Sequence, residues 1–200
     1  MSSKYKENSV CHIVDGLPIT TAYFKRAKKR QNFKAEAGYG YCASKSQTYY
    51  GFKGHLLFNS QGNITSFTFT EAAGNERETV SELTKGIHST SLLGDKGYLS
   101  ASLKKDLRDE QDIRLETPVR HNMTIPLPKA ERTFLNKTRR LVEKVIGQLT
   151  GQFKMNKVWA RKSWTLVGRS SQKMLAHGLG MLTSIKLNNK PLQLEHVMCV

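Results

Sequence analysis

At 200 residues the chain has room for one domain with a proper core, and 38% hydrophobic with 24% charged residues suits a soluble globular fold. A net charge of +16 and a pI near 9.9 select an anionic partner, nucleic acid before an anionic membrane surface, and no apolar run approaches the roughly 20 residues of a membrane span. Cys11, Cys42 and Cys199 are odd in number and show no paired spacing, which reads as reduced cytosolic thiols, not a disulfide frame or a zinc site.

Residues 1–9 are polar and lack the apolar core of a secretory signal. Val10 to Val14 form an apolar run that stops at Asp15, before Gly16, Leu17 and Pro18. This predicts a strand ended by a carboxylate, with Cys11 and His12 as packing or rim residues. Positions 25–34 hold six bases: Lys25, Arg26, Lys28, Lys29, Arg30 and Lys34. Tyr23, Phe24 and Phe33 flank them, which suits contact with a phosphate backbone; a solvated charged face is the alternative.

Residues 35–47 are rich in Gly, Ala, Ser and Tyr and predict a loop. Thr48–Phe58 predicts a strand, Asn59–Asn63 a turn, and Ile64–Thr70 a second strand, together an antiparallel hairpin. Lys53 and His55 share a face of the first strand, and His55 suits a hydrogen-bonded sheet histidine better than a site residue. Asn75 predicts the cap of a helix of about a dozen residues, with Val80, Leu83 and Ile87 at helical spacing.

Ser91-Leu92-Leu93-Gly94-Asp95-Lys96-Gly97-Tyr98 repeats the earlier pattern, a buried strand running to an aspartate. A carboxylate there faces the rim of a sheet, where ligands bind in open α/β folds; a turn or N-cap aspartate fits the position equally. Ser100 predicts the cap of a helix over 101–110 with Leu103 and Leu107 inward. Ile113–Thr117 predicts a short strand stopped by Pro118, and 118–130 a proline-rich loop.

From about Glu131 to Phe153 a helix carries an apolar stripe of Leu135, Val142, Val145, Ile146 and Leu149. Arg139, Glu143 and Gly147 lie at steps of four on an adjacent face. An Arg139–Glu143 surface ion pair, worth a few tenths of a kcal/mol, is the plain reading of that spacing. Residues 158–170 are basic, and 172–187 predict a last amphipathic helix through Met174, Leu175, Leu179, Met181, Leu182 and Ile185, with the methionines in the core.

Three acids thus fall on separate elements, with 79 residues between Asp15 and Asp95 and 47 between Asp95 and Glu143. Phosphodiester chemistry uses such a set: two Mg²⁺ ions about 4 Å apart serve the attacking and leaving oxygens of an in-line displacement. Mg²⁺ prefers oxygen ligands and keeps waters, so carboxylates suit it better than His or Cys.

Four motifs stand in order: Val14-Asp15-Gly16-Leu17-Pro18-Ile19; Tyr49-Tyr50-Gly51-Phe52-Lys53-Gly54-His55-Leu56-Leu57; Leu93-Gly94-Asp95-Lys96-Gly97-Tyr98; and Arg139-Arg140-Leu141-Val142-Glu143. With Thr117-Pro118-Val119-Arg120-His121-Asn122-Met123 they make the chain resemble the catalytic domain of bacterial insertion-sequence transposases of the DDE type. The resemblance implies an α/β fold of RNase H-like kind, a mixed sheet flanked by helices. It implies Asp15, Asp95 and Glu143 as catalytic ligands of two Mg²⁺ ions, with Mn²⁺ able to substitute. Arg139 carries over as a DNA-phosphate contact; Lys25, Arg26, Lys28, Lys29, Arg30, Lys53, Lys96 and Arg140 are the further candidate DNA contacts.

In that family, water first cleaves the element's ends. The freed 3′-hydroxyl then attacks target DNA, with no covalent protein–DNA intermediate. Implied partners are terminal inverted repeats, target DNA and a second copy of the chain, in the bacterial cytoplasm at the nucleoid. Residues 10–155 would form the catalytic domain, with 156–200 a basic segment and helix packed on it. Asn136 and Thr150 stand where Tyr and Lys are common in the family, and Gly16 where Ser is common. Only 14 residues precede Asp15, where relatives carry a DNA-end-binding region, so the chain reads as a shortened copy. A host RNase H-like nuclease and a non-catalytic DNA-binding module are the competing readings.

Overall fold

A computed structural model describes residues 11–23, 33, 36–42, 46–98, 100–117 and 129–198. The elements in order are β1 (Cys11–Tyr23), β2 (Gly38–Cys42), β3 (Gln47–Asn59), β4 (Ile64–Glu71), α1 (Glu76–Leu83), β5 (Ser91–Gly94), α2 (Ala101–Gln111), β6 (Arg114–Glu116), α3 (Lys129–Gly151), α4 (Ser163–Lys186) and α5 (Glu195–Met198). The strands form one six-stranded mixed sheet of order β2-β3-β1-β5-β6, with β4 also pairing β3. β1, β5 and β6 run parallel, whereas β2 is antiparallel to β3. The expected mixed α/β class is therefore the one observed. Among the described residues, no helix is long and apolar enough to cross a membrane.

The chain divides into two compact units. The first contains residues 1–16, 55–68 and 75–142. Its core gathers Val14, Leu57, Val80, Leu83, Leu92, Tyr98, Leu103, Leu107, Ile113 and Leu115. The parallel crossover β5–α2–β6 builds much of it. Ser100 caps α2 by accepting the Leu103 amide at 3.3 Å, and Leu103 and Leu107, one turn apart, bury its inner face. The helix ends where Asp112 takes a left-handed conformation, φ 51°, and returns its amide to Arg108 and Leu107. The β3–β4 turn is tied by Asn59, whose side chain accepts the amides of Gln61 and Asn63 at 3.0 Å each. Helix α1 has eight residues, fewer than the dozen expected. A turn at Thr84–Gly86 ends it, with Gly86 at φ 79°, and Ile87 packs on the core from beyond that turn.

The second unit contains residues 17–54, 69–74 and 143–200. Here β1 departs from the sequence reading: it does not stop at Asp15 but continues through Pro18 to Tyr23. The reason is local. The Thr20 amide donates to Asn156 at 3.1 Å, not to a strand. Backbone N–H groups alternate sides along a strand, so Pro18, two residues earlier, spends its missing donor on that same side and costs the ladder nothing. Leu17 and Ile19, on the other parity, are fully buried.

Gly38–Cys42, expected as loop, is a strand paired with Gly51–Gln47. Its glycines read locally as flexible, yet a Cβ on Gly40 would sit 2.8 Å from the Ala72 Cβ. Only glycine permits that approach. Helix α4 begins at Ser163, nine residues before the expected start. Met174 and Met181 are buried as expected, but Leu175 (64% exposed), Leu179, Leu182 (58%) and Ile185 face solvent. The buried face is instead Leu166, Ser170, Met174, His177, Met181 and Ser184. Both faces have apolar members at helical spacing, so periodicity alone does not choose between them.

Candidate active site at the β1–β5 edge

Parallel pairing of β1 with β5 runs Cys11↔Ser91, His12↔Leu92, Ile13↔Leu93 and Val14↔Gly94. Asp15 and Asp95 are the next residue on each chain. Parallel strands lie about 4.8 Å apart, so this register brings the two acids to adjacent positions where the β1–β5 pairing ends, inside the first unit. Asp15 is half-buried and exposed Asp95 lies just past its strand. The Asp15 Oδ1 accepts the Gly16 amide at 2.7 Å.

The sequence around Asp95 explains how it is held. Residues 96–98 form a 3₁₀ turn, and the Tyr98 amide donates to the Asp95 carbonyl at 3.0 Å. A Cβ on Gly94 would lie 3.1 Å from the Tyr98 Cβ, so glycine lets the tyrosine fold back tightly over the strand end. Tyr98 is buried, and its hydroxyl meets the Nδ1 of fully buried His55 at 3.4 Å. His55 is thus a structural histidine, as its place in the strand suggested, and it supports the turn that carries Asp95. That link joins residues 43 apart and is not visible in either motif taken alone. Upstream on β1, His12 Nδ1 lies 3.3 Å from the Thr90 hydroxyl, and burial lowers its pKa from 6.5. Burial also pushes the Cys11 thiol up to about 11, so it is an inert packing group, in keeping with the sequence reading.

Arg139, Arg140 and Glu143 are exposed on α3, the first two in the first unit and Glu143 in the second. Arg139 and Glu143 keep the four-residue spacing of one helix face. Lys53 is half-buried on β3 in the second unit. Lys96 opens the 3₁₀ turn directly after Asp95. Lys25, Arg26, Lys28, Lys29 and Arg30 lie outside the described residues, as does 118–128.

Among the described residues no group of three or more His, Cys, Asp or Glu is gathered to hold a metal. The paired aspartates nonetheless offer a donor set of the right chemistry. Mg²⁺ commonly takes one or two carboxylates and completes its shell with water and substrate phosphate. Oxygen-only donors on adjacent strands fit that ion better than zinc, which selects His and Cys.

One similar solved structure is a piggyBac transposase, determined by cryo-EM as a synaptic complex with hairpin DNA. It superposes with a TM-score of 0.54 at 14% identity, over 84% of this chain and 45% of that one. At that identity the likeness is one of fold, and the chain spans less than half the length of that transposase. No curated protein sequence matches the chain. The model of the transposase DDE domain family matches residues 6–162, a stretch that takes in Asp15, Asp95 and Glu143, and by that match the chain belongs to the transposase DDE domain family.

Proposed function

We propose that this chain is the catalytic domain of an insertion-sequence transposase that cleaves DNA strands at its element's ends and transfers them to target DNA. Asp15, Asp95 and Glu143 would hold two Mg²⁺ ions, or Mn²⁺ in their place. Lys25, Arg26, Lys28, Lys29, Arg30, Lys53, Lys96, Arg139 and Arg140 would contact DNA phosphates. Residues 10–155 carry the catalysis in this reading, and two copies act together because two ends must be handled, in a bacterial cytoplasm. The observation that carries it is the register that ends at Val14↔Gly94 and sets Asp15 beside Asp95. When bound, the metal supplies Lewis-acid stabilisation of the transferring phosphate. The chain's own part is to present its carboxylates, those of Asp15 and Asp95 from backbone that strand pairing holds still.

The test is a thermal melt with millimolar Mg²⁺ or Mn²⁺, on wild type and on Asp95→Asn. An ion at ten times its Kd stabilises the folded state by about 1.4 kcal/mol, a shift of a few degrees at this length. The shift should appear in wild type and vanish in Asp95→Asn, and metal-dependent nicking of a labelled duplex should vanish with it. A wild-type shift that survives in Asp95→Asn removes this site from the mechanism. The net charge of +16 favours DNA binding by itself, so a non-catalytic DNA-binding module is the second reading. It requires DNA affinity indifferent both to metal and to Asp95→Asn, with no nicking in any metal.

A further inference from the structure

We infer that a groove in the second unit, between the segment after α3 and one face of α4, binds an unpaired stretch of DNA by stacking a base on Trp159. The groove is open, encloses about 440 Å³, and is lined by Phe153, Lys157, Trp159, Arg169, Gln172 and Lys173, with Ala176 at its end. That volume falls within the range of small-ligand sites and admits a nucleobase. No residue of the proposed metal set lines it.

The groove is built, not incidental. Arg169, Gln172, Lys173 and Ala176 follow at helical spacing on one face of α4. The Lys173 amine donates to the Phe153 carbonyl, which ties the segment to the helix. The Phe153 ring stands edge-on to His177, with centroids 5.6 Å apart. Met155 and Val158 are buried, so the backbone is anchored just before Trp159. The indole itself is 77% exposed at the rim, with a guanidinium and two ammonium groups around it.

Charge selects the ligand class. Residues 144–194 contain nine Lys or Arg and no Asp or Glu, so no carboxylate within this stretch competes for the cations. A cationic channel with an exposed aromatic is the arrangement that holds single strands: cations track phosphates, and the ring accepts any base by its face. Duplex DNA offers the phosphates but hides its base faces, so Trp159 distinguishes the two forms. The choice of DNA rests on the reading above; the stacking geometry does not.

The experiment is fluorescence anisotropy of a labelled single strand of about a dozen nucleotides, and of its duplex, with metal chelated. Trp159→Ala should weaken single-strand binding by roughly tenfold or more while changing duplex affinity less than about twofold; Trp159→Phe should restore most of the loss. Arg169→Ala should weaken both forms and lower the salt dependence of binding by about one counterion. Because Trp159 and Arg169 are exposed, these variants keep the fold, which circular dichroism checks. Unchanged single-strand affinity in Trp159→Ala overturns the inference, as does equal binding of a poly-glutamate peptide. Asp95→Asn separates the two proposals: it should abolish nicking and leave this binding intact.

Discussion

The edge at Asp15 and Asp95 and the groove at Trp159 are organised in opposite ways. At the first, negative groups are few and their backbone is clamped. Strand pairing ends one residue before them, Gly94 admits the Tyr98 ring, and His55 meets the tyrosine hydroxyl. At the second, three positive groups stand around a ring, those of Lys157 and Arg169 on exposed side chains and that of Lys173 half-buried. The contrast follows from the ligands. A small cation demands donors held to within a fraction of an ångström, whereas a flexible polyanion is satisfied by charge density and one flat surface. Position matters most at the acids, and composition matters most at the groove.

That contrast can be broken, and the largest effect should come from the acids. Asp15→Asn keeps the shape of the side chain and removes its charge. It should lower metal-dependent strand cleavage by roughly a thousandfold, several kcal/mol of lost stabilisation, with the melting temperature in chelator almost unchanged. Activity within tenfold of wild type would mean that position is not what matters there.

Gly51→Ala comes next, on stability. A Cβ at this position would overlap the Ile19 carbonyl and lie 2.9 Å from the Thr21 amide nitrogen. Both are backbone atoms with no rotamer to change. We expect a loss of about 3 kcal/mol and a fall in Tm on the order of 10 °C, read by calorimetry. A normal melt would show that the close approach of β1 and β3 does not govern the second unit.

His177 gives a pH-dependent effect of intermediate size. Burial lowers its pKa from 6.5 to about 4, and its Nε2 lies 3.0 Å from the Gln148 Oε1. Between those values the unfolded chain takes up a proton that the folded chain refuses. Its contribution is therefore complete above pH 6.5 and lost as pH falls towards 4, about 2 kcal/mol of it by pH 5. His12 shifts in the same direction, so the difference from His177→Gln isolates the effect in a pH series of urea melts. A variant that loses stability in acid as steeply as wild type would refute it. The smallest effect is Ser100→Ala, which removes the cap of α2: about 1 kcal/mol and 2–4 °C, with nicking unaffected.

Features carried by neighbouring residues were legible in the sequence. The hairpin at Asn59–Asn63, the Ser100 cap, the Leu103–Leu107 face and a strand running to Asp95 all depend on contacts within a few positions, and all are present. So was the pairing of each aspartate with an apolar run. The extent of β1 was not: Pro18 reads as a breaker until Asn156, far along the chain, takes the neighbouring amide. Nor was β2, whose glycines signal a loop except where Ala72 crowds them.

Local chemistry decided which residues are acids, caps, turns and cations, because those properties belong to single side chains and their nearest neighbours. Tertiary structure alone decided which acids stand together, which face of α4 is buried and that Trp159 has cations around it. Strand register, burial and grooves arise from contacts between residues tens of positions apart. Many pairings satisfy the same periodicity, and only one packs without clash.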